Sequence, residues 1–217
     1  MMDAFSLIKQ QRFIVLARHV SAGAMEDVVK ALYKGGIRIL EITFDPCDPD
    51  TLRNTSKAIK TSIAGGMMTG AGTVLTVVEA EAAHAAGARF IVSPNTNAQV
   101  IRRTKELKML SIPGAYTPSE IVNAHELGAD IVKIFPVLPD QLDYIKVVTS
   151  PLSHIAFMVT GGINPDTVAG FLNAGAVAVA AGAAIIKPEL VRDKNWEEIS
   201  KLSRMHLDAI KRGVRNG

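Results

Sequence analysis

Cysteine occurs once, at Cys47, in a chain of 217 residues. A lone thiol excludes a disulfide framework and fits a reducing compartment. Charge imbalance is also scarce: 24 Lys and Arg against 21 Asp and Glu leave a net +3. That is too weak a field to imply nucleic acid, and no basic patch is interleaved with aromatics. Apolar runs long and charge-free enough to span a bilayer are missing, and residues 1–10 show no secretory pattern. The expectation is a cytoplasmic protein that engages neither nucleic acid nor membrane. Low-complexity segments and Pro/Gly/Ser-rich linkers are missing as well, so residues 1–217 are expected to form a single domain. The histidines His19, His84, His125, His154 and His206 are scattered, with no pair at ligand spacing. No metal and no cofactor is expected.

What is present is a large apolar fraction, 48%, arranged with regular punctuation. Short apolar runs predict strands at 13–18, 37–43, 67–72, 90–93, 110–113, 131–134, 156–160 and 177–181. A helix is expected at 1–11, with Phe5 and Ile8 on one side. Further helices are expected at 24–33, 51–62, 77–86, 98–107, 119–127, 142–148 and 165–173, and from the last strand to about Lys211. Eight strands, each followed by a helix, point to an α/β fold, a (β/α)₈ barrel with an N-terminal helix. A doubly wound open sheet is the alternative. It would more often show fewer strands, and the dinucleotide fingerprint G-x-G-x-x-G is absent after the first strand.

One strand carries a charge where none is expected. In Ile131-Val-Lys133-Ile134 the lysine has apolar neighbours on both sides. Burial would lower its pKa and favour the neutral amine, which is a nucleophile that forms a Schiff base with a ketone. A buried Lys–Glu ion pair that only holds the core is the other reading of this strand.

An internal repeat supplies a partner. Gly36, Gly87, Gly128 and Gly175 each precede an even-numbered strand, and three of the four continue as Gly-Ala. Five residues beyond them stand Glu41, Val92, Lys133 and Ala180. If the four segments are equivalent, these residues fill one level of the barrel, because each interior layer comes from alternate strands. Glu41 and Lys133 then face each other from opposite walls, near the strand ends where barrel enzymes keep their chemistry. Glu41 could move protons to and from an imine formed on Lys133. Polar or small residues gather at the other strand ends too: Thr73, Ser93-Pro94-Asn95, Pro113-Gly114, Thr160-Gly161-Gly162 and Gly182-Ala183. Glycines after strands 7 and 8, where barrel loops often hold phosphate, let backbone N–H groups approach an anion; turn chemistry before a helix is the other reading. Cys47 has no base beside it in the sequence and reads as an incidental thiol.

These residues resemble the 2-keto-3-deoxy-6-phosphogluconate and 4-hydroxy-2-oxoglutarate aldolase family of class I aldolases. The matching segments are Gly36-Ile-Arg-Ile-Leu-Glu41-Ile-Thr43, Gly70-Ala-Gly-Thr73-Val, Ser93-Pro94-Asn95, Pro113-Gly114, Thr117-Pro-Ser-Glu120, Val132-Lys133-Ile-Phe135-Pro136 and Thr160-Gly161-Gly162, in family order. The resemblance implies a Schiff-base lysine at Lys133, a proton-transferring Glu41 and pyruvate contact by Thr73. It implies a phosphate pocket at Gly161 and Gly162, with Gly182 and Ala183 beside them, and a homotrimer. Pro94 and Phe135 lie in matched segments and join the expected substrate-binding residues, with a small keto acid, phosphorylated, as the expected ligand.

Two positions depart from the family pattern. The usual Arg four residues after the glutamate is Asp45 here, a carboxylate where a guanidinium would clamp a carboxylate. The galactonate branch also lacks this Arg and typically carries Asn. The usual Ser after the strand 8 glycine is Ala183, which removes one side-chain hydrogen bond to phosphate. Arg18, at the end of strand 1, is the nearest remaining cation. Three readings follow: a class I aldolase, which is favoured; the same chemistry on an altered or unphosphorylated substrate; and a sugar-acid-phosphate-binding barrel with lost catalysis.

Overall fold

The computed structural model describes residues 3–214. Its chain runs through α1 (Ala4–Gln11), β1 (Phe13–Ala17), α2 (Met25–Lys34), β2 (Ile39–Thr43), α3 (Thr51–Ala64), β3 (Met68–Gly72), α4 (Val77–Ala85) and β4 (Phe90–Val92). It continues through α5 (Ala98–Glu106), β5 (Leu110–Ile112), β6 (Gly114–Ala115), α6 (Pro118–Glu126), β7 (Val132–Ile134), α7 (Leu142–Thr149) and β8 (Phe157–Thr160). The last elements are α8 (Val168–Asn173), β9 (Ala178–Ala181), α9 (Pro188–Arg192) and α10 (Trp196–Gly213). All pairings are parallel, in the order β5-β4-β3-β2-β1-β9-β8-β7-β6.

The ends of that order, β5 and β6, are two halves of one wall. Pro113 sits between them and has no N–H to give to a ladder. Its carbonyl still accepts from the Lys133 amide at 2.8 Å, so the cylinder is closed with eight walls built from nine strands. The fifth expected strand is therefore split. The C-terminal segment is also less continuous than expected. Gly182 accepts from the amides of Ile185 and Ile186 in a turn. Lys194, with φ +53°, then separates α9 from α10. The N-terminal helix forms as expected over its described part; Met1 and Met2 lie outside the described residues.

The interior follows the repeat. Gly36, Gly87, Gly128 and Gly175 all adopt positive φ, from +95° to +107°, the left-handed turn that ends a helix and that side chains resist. Three residues on, Ile39, Phe90, Ile131 and Ala178 belong to one buried inner cluster. Five residues on, Val92 and Ala180 belong to the same cluster, and Glu41 and Lys133 are buried at 2% and 6% exposure. Ile8 of α1 joins that cluster as well. The second cluster, including Phe44, Phe157 and Phe171, lies between the strands and the helices.

Candidate active site

Glu41 is the third residue of β2 and Lys133 the second of β7. Each stands between apolar neighbours on its strand, and the alternation that sends those neighbours toward the helices sends these two inward. Burial raises the proton affinity of the Glu41 carboxyl, while the charges of Lys133 and Arg18 pull it back down. Burial also depresses Lys133, the Glu41 carboxylate opposes that shift, and Arg18 reinforces it. The two groups thus sense each other across the barrel, yet among the described residues no ion pair joins them. Direct contact would have favoured the purely structural pair. Separation leaves the amine open to a carbonyl. The Phe135 ring, two residues along from Lys133, covers it with Nζ 4.7 Å from the ring centroid.

Room for the Glu41 carboxyl comes from Gly72. A Cβ there would stand 1.7 Å from Glu41 Oε1. Gly70 does the same for the layer below, where a Cβ would stand 2.3 Å from the Phe90 ring. The Gly70-Ala71-Gly72 strand is thus bare on its inner face so that two large inward side chains fit. Thr73 follows with φ +55°, a conformation costly for a β-branched residue and common where function holds the backbone in place. Pro94 lies on the next wall, where its carbonyl approaches Gly114 so closely that a Cβ would come within 2.4 Å.

Arg18, Gly161, Gly162, Gly182 and Ala183 line one cavity of about 350 Å³ together with Thr160. Arg18 is exposed and makes no ion pair among the described residues. Among the described residues, the amides of Gly162, Gly182 and Ala183 donate no backbone hydrogen bond either. One cation and several N–H groups at a loop and turn are groups suited to an anion. Gly161 and Gly162 have a structural reason as well. Cβ atoms on them would stand 2.3 Å from Val137 O and 2.5 Å from Pro139 N, so the chain after β7 lies directly on the chain after β8.

The charges that shift Lys133 are those of Glu41 and Arg18. The Asp45 carboxylate instead accepts from the Cys47 amide at 2.9 Å and meets His19 Nδ1 at 3.1 Å. The repulsive carboxylate feared from the sequence is turned into the loop after β2. Cys47 is exposed and free. The histidines are less scattered than in the sequence, since the rings of His125 and His154 meet edge-on at 5.6 Å. Among the described residues, however, no group of three or more metal-binding side chains exists.

Two residues were not singled out from the sequence, Thr43 and Gly72. Thr43 and Thr160 are buried with hydroxyls that lack any partner among the described residues, and Glu41 Oε2 lacks one too. Thr43 was recoverable from the period of two, since it follows Glu41 on the same face of β2.

Known proteins resemble the chain along most of its length. A family model described as KDPG and KHG aldolase matches residues 6–202. A 2-dehydro-3-deoxy-phosphogluconate aldolase of Treponema pallidum is 30% identical over 214 residues, covering 97% of this chain and 99% of its own. A probable 2-dehydro-3-deoxy-6-phosphogalactonate aldolase of Rhizobium meliloti is 32% identical over 191 residues, covering 86% of this chain and 88% of its own. The crystal structure of a KDPG aldolase from Legionella pneumophila, with pyruvate captured as a covalent carbinolamine, superposes with a TM-score of 0.80 at 25% identity. That match covers 92% of this chain and 95% of the other. A facing acid and amine inside a barrel, groups suited to an anion at its rim and a family match across nearly the whole length lead to one conclusion: the chain belongs to the KDPG and KHG aldolase family.

Proposed function

We propose that the chain is a class I aldolase that cleaves a 2-keto-3-deoxy sugar acid to pyruvate and an aldehyde. The substrate is 2-keto-3-deoxy-6-phosphogluconate or its galactonate epimer, and the aldehyde is glyceraldehyde 3-phosphate. The observation that carries this reading is the pairing of a buried, depressed lysine with a buried glutamate that it senses but does not bind. Homotrimeric assembly, residence in the cytoplasm and action of residues 1–217 as one unit belong to the same proposal. Among the described residues, no helix is long and apolar enough to cross a membrane.

In the proposed reaction the neutral Lys133 amine adds to the C2 ketone, takes up one proton and expels water, giving a protonated imine. The Glu41 carboxylate takes the proton of the C4 hydroxyl. The C3–C4 bond breaks, its electron pair passes into the imine as an enamine, and C4 leaves as the aldehyde. Glu41 returns the proton to C3, and water hydrolyses the protonated pyruvate imine, releasing Lys133 as the neutral amine together with one proton. Thr73 and Pro94 border the reacting carbons, and Phe135 keeps water from the amine. Arg18 and the amides at Gly162, Gly182 and Ala183 receive the distal phosphate. Ala183 leaves that phosphate to backbone donors and Arg18.

A turnover screen tests this. Epimeric 2-keto-3-deoxy acids, with and without phosphate, are offered while pyruvate release is coupled to lactate dehydrogenase. Pyruvate formation with higher kcat/KM for a phosphorylated acid is expected. No pyruvate from any of them would overturn the proposal.

A further inference from the structure

Glu41 is held on one side only. Its Oε1 is confined by the bare backbone of β3 at Gly72, where a Cβ would stand 1.7 Å away. Its Oε2 is buried and has no hydrogen-bond partner among the described residues. A carboxyl that must take and return a proton at fixed positions needs both oxygens oriented, because small misplacements of a reacting group are costly.

The side chain placed to do this is Thr43. It lies two residues beyond Glu41 on the same face of β2, in register with Gly72 of β3. It is 9% exposed, and its Oγ1 has no hydrogen-bond partner among the described residues. A buried hydroxyl without a partner is uncommon and calls for a role. The hydroxyl is near enough to draw Glu41 toward its carboxylate form, although the two do not meet in hydrogen-bond geometry.

We propose that Thr43 is a positioning residue for Glu41: its hydroxyl donates to the carboxylate, directly or through one water, and fixes the orientation from which Glu41 exchanges protons with the substrate. The inference rests on the aldolase reading above. The charges that face the carboxyl are Lys133 from β7 and Arg18 from β1; β3 offers only Gly72. Thr43 adds a neutral donor to that set. A donor to the carboxylate favours the ionised form. Removing it therefore raises the pH at which Glu41 becomes a competent base.

The test compares Thr43→Val, which keeps the shape and deletes the hydroxyl, with Thr43→Ser, which keeps the hydroxyl. Pyruvate trapping on Lys133 by borohydride, the pH profile of kcat and the melting temperature are measured on the full chain. In Thr43→Val the acid limb is expected to move up by about one pH unit and kcat to fall about tenfold, while trapping persists. Thr43→Ser is expected to restore both. A Thr43→Val profile that coincides with the unsubstituted protein, whether or not its melting temperature drops, would overturn the inference. Failure of the unsubstituted protein to trap pyruvate would instead overturn the aldolase reading on which it stands.

Discussion

The Glu41 carboxyl occupies the volume that a side chain on Gly72 would need, with Oε1 1.7 Å from the position of such a Cβ. The proposed acid–base group and the absence of a side chain on the neighbouring strand are therefore one feature. Gly72→Ala is expected to push Glu41 out of place. A shift of about 1 Å at a reacting group costs on the order of 100-fold in rate. kcat should fall by about that factor while pyruvate still traps on Lys133, because β7 is untouched. Unchanged kcat would show that the carboxyl has another place to go.

The two buried charges make opposite contributions to stability with pH. Glu41 has a raised pKa in the folded state, from burial against the pull of Lys133 and Arg18. Between its ordinary value of 4.5 and the folded value, the native state holds more protons than the unfolded one. Stability from this group therefore falls as pH rises through that window. Lys133 is depressed below its ordinary 10.5 by burial first, with Arg18 adding and Glu41 opposing. There the unfolded state holds more protons, so stability rises with pH up to that value. Urea midpoints of the unsubstituted chain and Glu41→Gln, measured from neutral pH down to 4.5, should show the unsubstituted chain gaining on the variant as pH falls. A gain in the opposite direction would contradict the assignment.

Asp45 gives a prediction of the contrary kind. Its carboxylate is engaged with the Cys47 amide and His19, while the charges that shift Lys133 are Glu41 and Arg18. Asp45→Ala should cost about 1 kcal/mol from the lost loop contacts. That corresponds to a drop of roughly 2–4 °C in melting temperature for a chain of this size. The pH midpoint for imine trapping on Lys133 should not move. A moved midpoint would mean that Asp45 acts on the amine after all.

Two glycines separate backbone strain from collision. Gly128 has φ +102°, and a Cβ there would meet only Lys105 Cγ at 4.0 Å. Gly161 has φ +111°, and its Cβ would stand 2.3 Å from Val137 O. Gly128→Ala should cost on the order of 1–3 kcal/mol from conformation alone. Gly161→Ala should cost more and should also weaken binding of the phosphorylated substrate, since the proposed anion site moves. Equal denaturant midpoints for the two variants would show that the two loops yield without cost.

Much of the site could be read from the sequence because the repeat carries its own geometry. Gly36, Gly87, Gly128 and Gly175 share one backbone conformation, so equal offsets from them reach equal heights, and Glu41 and Lys133 fall into the same interior layer. Alternation with a period of two then separates inward from outward side chains. What could not be read depends on contacts between distant segments. That Gly72 makes room for Glu41 requires the β2–β3 register. The engagement of Asp45 with His19 requires the loops after β1 and β2 to meet, and position 45 alone suggests only repulsion. The meeting of His125 and His154 joins a helix end to the segment before β8. Pro113 was visible as a strand end, but its role as a break inside one wall appears only when β4 and β7 lie on either side of it.

The central claim is that the Lys133 amine captures a ketone. Incubation with saturating pyruvate and borohydride, followed by peptide mapping, tests it most directly. The account expects a reduced pyruvyl adduct on the peptide carrying Lys133, lost in Lys133→Met. An unmodified Lys133 under those conditions, or an adduct confined to other lysines, would contradict it.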